Sequence, residues 1–305
     1  MRMEEIKNYL KAMGLPSRDD YSLPTSDQRF PDGAHFRMEE LPTSLDQYQR
    51  MFAMCDEYGY VVNRISDVRG VMFDSDDEIR GKLELARRHG CEVIMGPGPG
   101  EWPFDISQQA EIHQIVEGKL RGMDNVTSTV ESMLRASELG CRGFLMYDEG
   151  VLLIALKMRR DGHLPSETKF KISSNVSVAN AAAVKFWFDL LDPQDEINPV
   201  RDLTLPMMAA MRQVTHHAID IHIFHRAAMS RIMEAPEIVR VAAPVYLKNS
   251  KSGPGVGVEE RTLQCFRVIE NMRRLYPEYQ QSAKGAEGLA VPADPRQPAA
   301  RSLKG

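Results

Sequence analysis

Residues 143–175 read GFLMYDEGVLLIALKMRRDGHLPSETKFKISSN. A short apolar run, Gly143–Tyr147, meets an acidic start at Asp148 and Glu149. Twelve residues of helical period follow, Glu149–Arg160, and Gly162 supplies a stop. A second run, Phe170–Asn175, then alternates in a strand's period of two. This is a strand, a crossover helix and a parallel strand, and the same unit recurs along the chain.

Outward from it, the strand candidates are Ala34–Glu40, Tyr60–Ile65, Glu92–Met95, Gly143–Tyr147, Phe170–Asn175, Glu196–Val200, Ala218–Phe224 and Val239–Leu247. The helix candidates are Ser44–Tyr58, Ser75–Arg88, Asn125–Leu139, Glu149–Arg160, Ala179–Leu190, Leu205–Val214, Ala227–Met233 and Glu259–Leu275. Ser44, Ser75 and Thr204 are placed to cap helix starts, and Gly59, Gly90, Gly140 and Gly162 to end helices. Eight strands alternating with eight helices predict a single α/β domain, a (β/α)8 TIM-like barrel. A doubly wound open sheet would need a glycine fingerprint after its first strand, and Met38-Glu39-Glu40-Leu41-Pro42 has none. Residues 1–33 are expected to form a helical N-terminal extension, 34–282 the barrel, and 283–305 a disordered tail rich in Ala, Pro and Gly. Gly96 to Gly122 is a long insertion after the third strand. It opens Gly-Pro-Gly-Pro-Gly and carries Glu101, Trp102 and Phe104, which suits a lid or a contact between copies of the chain.

With 38 Lys and Arg against 43 Asp and Glu, the 305-residue chain has a formal charge of −5. That balance argues against broad nucleic-acid binding, because the phosphate backbone recruits an excess of cations. No apolar stretch is long enough to span a bilayer, and no signal core precedes the first charges, so no membrane partner is expected and the cytoplasm is the default compartment. Cys55, Cys91, Cys141 and Cys265 form no CxxC pair. They read as small buried hydrophobes, which argues against disulfides and against an iron–sulfur cluster.

Barrel chemistry sits at the carboxyl ends of strands and on deep inward-facing side chains. Strand period turns Arg37 and Glu39, Lys171, Ser173 and Asn175, Asn198, and Asp220, His222 and Phe224 toward the axis. A purely structural network, Arg37 with Glu39 or Lys171 with Asp220, is the alternative to a site. Glu39, Glu149 and His222 are the candidates for proton transfer. Arg37, Lys171, Ser173, Asn175, Asn198 and Arg201 are the candidates for binding substrate. Lys251, Gly253 and Gly255 join them from the loop Lys248–Gly257, where barrels often hold phosphate. His222 and His225 with Glu149 are candidate ligands of a divalent metal, although no HExxH or HxH pattern supports it. His222 also reads as a satisfied core histidine. His216 and His217, before the seventh strand, read as surface residues.

Four segments resemble the U32 peptidase family. Gly143–Leu152 is similar to the family's strand that ends before "GVL". Lys171–Trp187 resembles its "H-A-S-T-Q-x-N-V-T-N…A-V-x-F-W" stretch. Asn198–Leu205 resembles "x-P-x-R-E-L-S-L", and Asp220–His225 its "E-V-x-V-H-G" strand. The likeness runs loosely over 36–248. It implies a TIM-like barrel and a hydrolase or lyase acting on a small or peptide-like anionic substrate. Some members instead carry an iron–sulfur cluster and serve hydroxylation. Those members have cysteines after the seventh strand, where this chain reads His225-Arg226-Ala227-Ala228-Met229-Ser230. A non-catalytic barrel subunit, using 96–122 as its contact, is the alternative from a different class.

Overall fold

The computed structural model describes residues 2–98, 119–225, 229–250, 257–280 and 282, with the side chains of 225, 229 and 230 also outside the description. Eight parallel strands close on themselves: β1 Phe36–Glu40, β2 Arg64–Asp67, β3 Glu92–Met95, β4 Gly143–Met146, β5 Lys169–Ile172, β6 Glu196–Ile197, β7 Ile219–His225 and β9 Val245–Ser250. Pairing of β6 with β7 and of β9 with β1 completes the ring. The two-residue β8, Met229–Ser230, turns back antiparallel on the end of β7. The helices are α1 Met3–Ala12, α2 Leu45–Tyr58, α3 Asp76–Arg88, α4 Gly122–Glu138, α5 Glu149–Arg160, α6 Ala181–Phe188, α7 Leu205–Arg212, α8 Ala235–Ala242 and α9 Val258–Leu275. The chain is a TIM-like (β/α)8 barrel.

Local chemistry sets these elements. Ser44 accepts the amide of Gln47 at the start of α2, and Gly59 ends that helix at φ 68°. Ser75 and Glu78 form a reciprocal capping box on α3. Outward residues of the strands, among them Phe36, Met38, Ile65, Phe144, Phe170 and Ile197, join the main apolar core under the helices. Inside the ring Ile94, Leu145 and Tyr147 pack together from β3 and β4, and Tyr246 of β9 packs with Phe30 and Ala34.

Four expectations are corrected. Val239–Leu247 is not one strand: α8 occupies 235–242 and β9 starts at Val245. Its apolar run is buried as a helix opened by Pro236, and Pro244 ends it. Over its described residues Ala227–Met233 is not an α-helix, since β8 occupies Met229–Ser230 and a 3-10 turn begins at Ile232. The second strand begins at Arg64 rather than Tyr60. Phe224 does not face the axis, because a register shift between His222 and Phe224 turns it into the outer core.

Gly143 faces the interior where β4 crosses β3. A Cβ there would lie 2.5 Å from the Val93 carbonyl oxygen and against Ile94. Gly143→Ala is expected to cost about 1–3 kcal/mol through overpacking against backbone, read as a lower urea midpoint. An unchanged midpoint would show that β3 and β4 separate without cost.

Candidate active site in the barrel interior

The remaining inward positions are almost all polar, and the closed sheet gathers them. Glu39 from β1, Arg64 and Ser66 from β2, Lys171 from β5, Asp220 from β7 and Lys248 from β9 are all buried. Lys171 Nζ lies 2.6 Å from each Glu39 carboxylate oxygen, 3.0 Å from Ser66 Oγ, and in an ion pair with Asp220. Arg64 reaches Asp220 at 3.1 Å, Glu39 at 3.5 Å, Glu92 at 2.7 Å and Glu196 at 2.5 Å. Its guanidinium also lies 3.3 Å from the Tyr246 ring centroid. Lys248 Nζ is 3.3 Å from both Glu39 Oε1 and Asn198 Oδ1.

Burial raises the Glu39 pKa, but Lys171, Lys248 and Arg64 together overcome it and hold the carboxyl well below its usual range. Asp220 goes the other way. Its burial, then the Glu39 charge, pushes it up to about 7 against the pull of Lys171 and Arg64. Two carboxyls on one ammonium cannot both ionise cheaply, so Asp220 titrates near neutrality while Glu39 stays charged.

Nearer the carboxyl ends stands His222. Its Nδ1 is 2.7 Å from Ser250 Oγ and its Nε2 is 3.1 Å from Asn198 Oδ1. The partners settle which atoms donate. Ser250 uses its hydroxyl hydrogen on the Phe224 carbonyl at 2.8 Å, leaving Oγ to accept from Nδ1–H. The Asn198 amide donates Nδ2–H to the Asp220 carbonyl at 3.2 Å, which turns Oδ1 toward Nε2 and toward Lys248. Both imidazole nitrogens therefore face acceptors, the arrangement that suits a ring carrying two protons.

The other sequence candidates lie at different distances from this centre. Ser173 is buried and its Oγ accepts the Asn175 amide at 3.2 Å, fixing the turn after β5. Asn175 Oδ1 accepts from Arg201 Nη2 at 3.3 Å, so those two act together beside the ends of β5 and β6. Glu149 stands at the start of α5, half exposed, paired with Lys119 at 2.5 Å. Arg37 belongs to the opposite end of the barrel. It pairs with Asp32 at 2.9 Å and lies 4.2 Å from the Phe30 ring centroid. The Arg37–Glu39 alternative is not what forms, whereas the Lys171–Asp220 pair is. Lys251, Gly253 and Gly255, the His225 side chain and most of the 96–122 insertion lie outside the described residues. His217 is not a surface residue: it is half-buried, stacked on Phe188 with centroids 3.9 Å apart. Arg64, Ser66 and Lys248 were missed because their strands were misplaced or read as loop, and Glu196 was passed over although its strand was placed where β6 begins and it shares the face of Asn198. With β2 begun at residue 64, the inward period would have named Arg64 and Ser66.

Among the described residues no three His, Cys, Asp or Glu side chains converge as a metal site. The four cysteines are buried and free. They sit on separate elements, and burial pushes Cys55 and Cys141 up to about 12 and Cys91 and Cys265 well up too.

A separate carboxyl titrates within the wall. Burial pushes Glu40 up to about 7, opposed by Arg261 and by hydrogen bonds from Cys265 at 2.8 Å and Asn249 at 3.2 Å. A carboxyl raised on folding adds stability that is full below its unfolded value and is lost as pH rises through the folded value. Stability is thus expected to fall between about pH 5 and 8. Glu40→Gln should flatten that slope and raise stability at pH 8 by on the order of 3 kcal/mol at most. An unaltered pH profile in urea unfolding would refute the assignment.

No protein-family model matches the chain, and no curated protein matches it. Solved structures do share its architecture. Dihydrodipicolinate synthase from Aquifex aeolicus is 9% identical, with 80% of this chain and 79% of that one aligned at a TM-score of 0.47. A native KDPGal structure is 10% identical over 82% of this chain and 98% of that one, at 0.46. A U32 peptidase is 13% identical over 67% and 73%, at 0.40. Likenesses this distant bear on the barrel alone, and they do not set the U32 group apart from the other barrels.

No helix among the described residues is long and apolar enough to cross a membrane.

Proposed function

We propose that this chain is a barrel enzyme, a lyase or hydrolase acting on a small or peptide-like anionic substrate by acid–base catalysis. The observation that carries this reading is the His222 ring. It is held between two acceptors at the carboxyl end of the barrel, beside the Lys248 ammonium and above the Glu39–Asp220 pair. In this reading His222 gives up its Nε2 proton, held in the resting site by Asn198 Oδ1, to the leaving or developing anionic atom. Lys248 stabilises the negative charge, and a buried ammonium does so more strongly than one in water. Asn198 fixes the ring and the ammonium together, because its single oxygen accepts from both. Arg201, braced on Asn175, supplies a second cation for the substrate's remote anionic group. Lys171 and Arg64 are positioning residues that hold Glu39 ionised, and the Glu39 charge together with burial is what raises Asp220.

The test is calorimetric titration with acetate, pyruvate, succinate and inorganic phosphate at pH 7. At least one of these anions is expected to bind wild-type protein, and Lys248→Met to weaken it about tenfold, the effect of losing one charge-assisted contact. Millimolar inertness toward all four, or equal binding by the variant, would overturn the proposal.

A further inference from the structure

The amino end of the barrel carries a cleft of its own. Its volume is 880 Å³, within the roughly 300–1,000 Å³ range of small-molecule sites. Arg37, Glu92, Gly143 and Lys169 line it, and each is the first or second residue of its strand. It therefore lies a barrel's height from His222. Leu83, Val93, Leu139 and Pro31 give it apolar walls.

Its charged groups differ in what they have left to offer. The carboxylates are used. Asp32 accepts from Arg37 and from the Ala34 amide. Glu84 accepts from Arg87 and Arg88, and Glu167 from Arg142. Glu92 accepts from Arg64, Lys169 and Tyr246. The arginines retain donors. Arg37 Nε is buried without a partner among the described residues. Arg142 gives Nε to Glu167 and Nη1 to the Ser137 and Cys141 carbonyls, which leaves Nη2. Arg87 gives Nε and Nη2 to Glu84, which leaves Nη1. Each carboxylate clamp fixes a guanidinium plane and so lowers the entropy lost when another acceptor arrives.

We infer that this cleft is a binding site for an amphipathic monocarboxylate, a ligand with an apolar body and one carboxylate head. The unused capacity is donor capacity, which selects an acceptor and rejects an amine. Counting Arg80, the lining holds five cations against four carboxylates, so it neutralises a single negative charge and leaves the further charges of a polyanion unmatched. The apolar walls select a body beyond the carboxylate itself.

The test uses octanoate, with acetate and octylamine as controls, titrated calorimetrically into the full-length protein. Octanoate is expected to saturate one site, with acetate at least tenfold weaker and octylamine silent. Arg142→Met and Arg87→Met are each expected to weaken octanoate about fivefold or more. Arg87 is a surface residue bonded only to Glu84 among its described partners, so its replacement leaves the fold intact even where Arg142→Met does not. Lack of octanoate binding at millimolar concentration, or equal binding of octylamine, would overturn the inference. So would binding that survives Arg87→Met but disappears in Lys248→Met, which would move the ligand to the carboxyl end.

Discussion

Lys171→Met is expected to destabilise the barrel by roughly 3–5 kcal/mol near pH 7.5, the range for breaking a buried ion pair by removing one partner. The lysine side chain is fully buried and contacts Glu39, Asp220 and Ser66, all of them buried. Methionine fills a similar volume but leaves two carboxyls sharing the charge of Arg64 and Lys248. Desolvation then has less to oppose it, and both carboxyls move up. Their protonation relieves the cost, so the penalty should shrink as pH falls toward 5. Adding Asp220→Asn to Lys171→Met should recover part of the loss at pH 7.5, because only one carboxyl then remains. Urea midpoints of wild type, the single variant and the double variant at two pH values give the measurement. A single variant within 1 kcal/mol of wild type would mean that Lys171 is dispensable and that Arg64 alone organises the interior.

That interior also explains which parts of the molecule were legible in sequence. Element order was legible because most strands carry their own boundary marks, such as the glycines at 59 and 90 and the caps at Ser44 and Ser75. Much of the polar axis was legible where a strand was placed correctly: Glu39, Lys171, Asn198, Asp220 and His222 all point inward and all join one network, while Glu196, on the face of Asn198, went unread. Two physical facts hid the rest. A fully buried apolar run has no period, so 239–242 read as strand although Pro236 and Pro244 bound it as a helix. Inward direction also does not say at which end of the ring a residue stands. Arg37 and Glu39 share a face, yet Arg37 meets Asp32 at the amino end while Glu39 meets Lys171 in the middle. Lys248 was hidden by the same misplaced segment, since with β9 drawn too early it fell in a loop. The charge balance of the network, with four lysine or arginine cations facing four carboxyls, depends on tertiary register and could not be read from spacing.

His222 gives the other large effect. If the ring is the proton donor, His222→Gln should lower kcat by about 10²–10⁴-fold, the usual contribution of a positioned general acid. KM should change little, because Lys248 and Arg201 do the binding. The acid form is the active one, so wild-type turnover should decline at alkaline pH and the glutamine variant should lack that limb. A purely structural histidine predicts something different: lower stability, with kcat and KM of the folded fraction unaltered. A substrate-free measurement separates the two before any reaction is known. With Ser250 and Asn198 both accepting, the ¹⁵N resonances of His222 at pH 7 should both lie in the protonated range. Asn198→Ala should remove the Nε2 acceptor and shift the ring toward a single tautomer with its proton on Nδ1, facing Ser250. One unprotonated nitrogen in the wild-type spectrum would leave the ring a core histidine, and the acid would have to be sought at Asp220, which holds its proton to about pH 7.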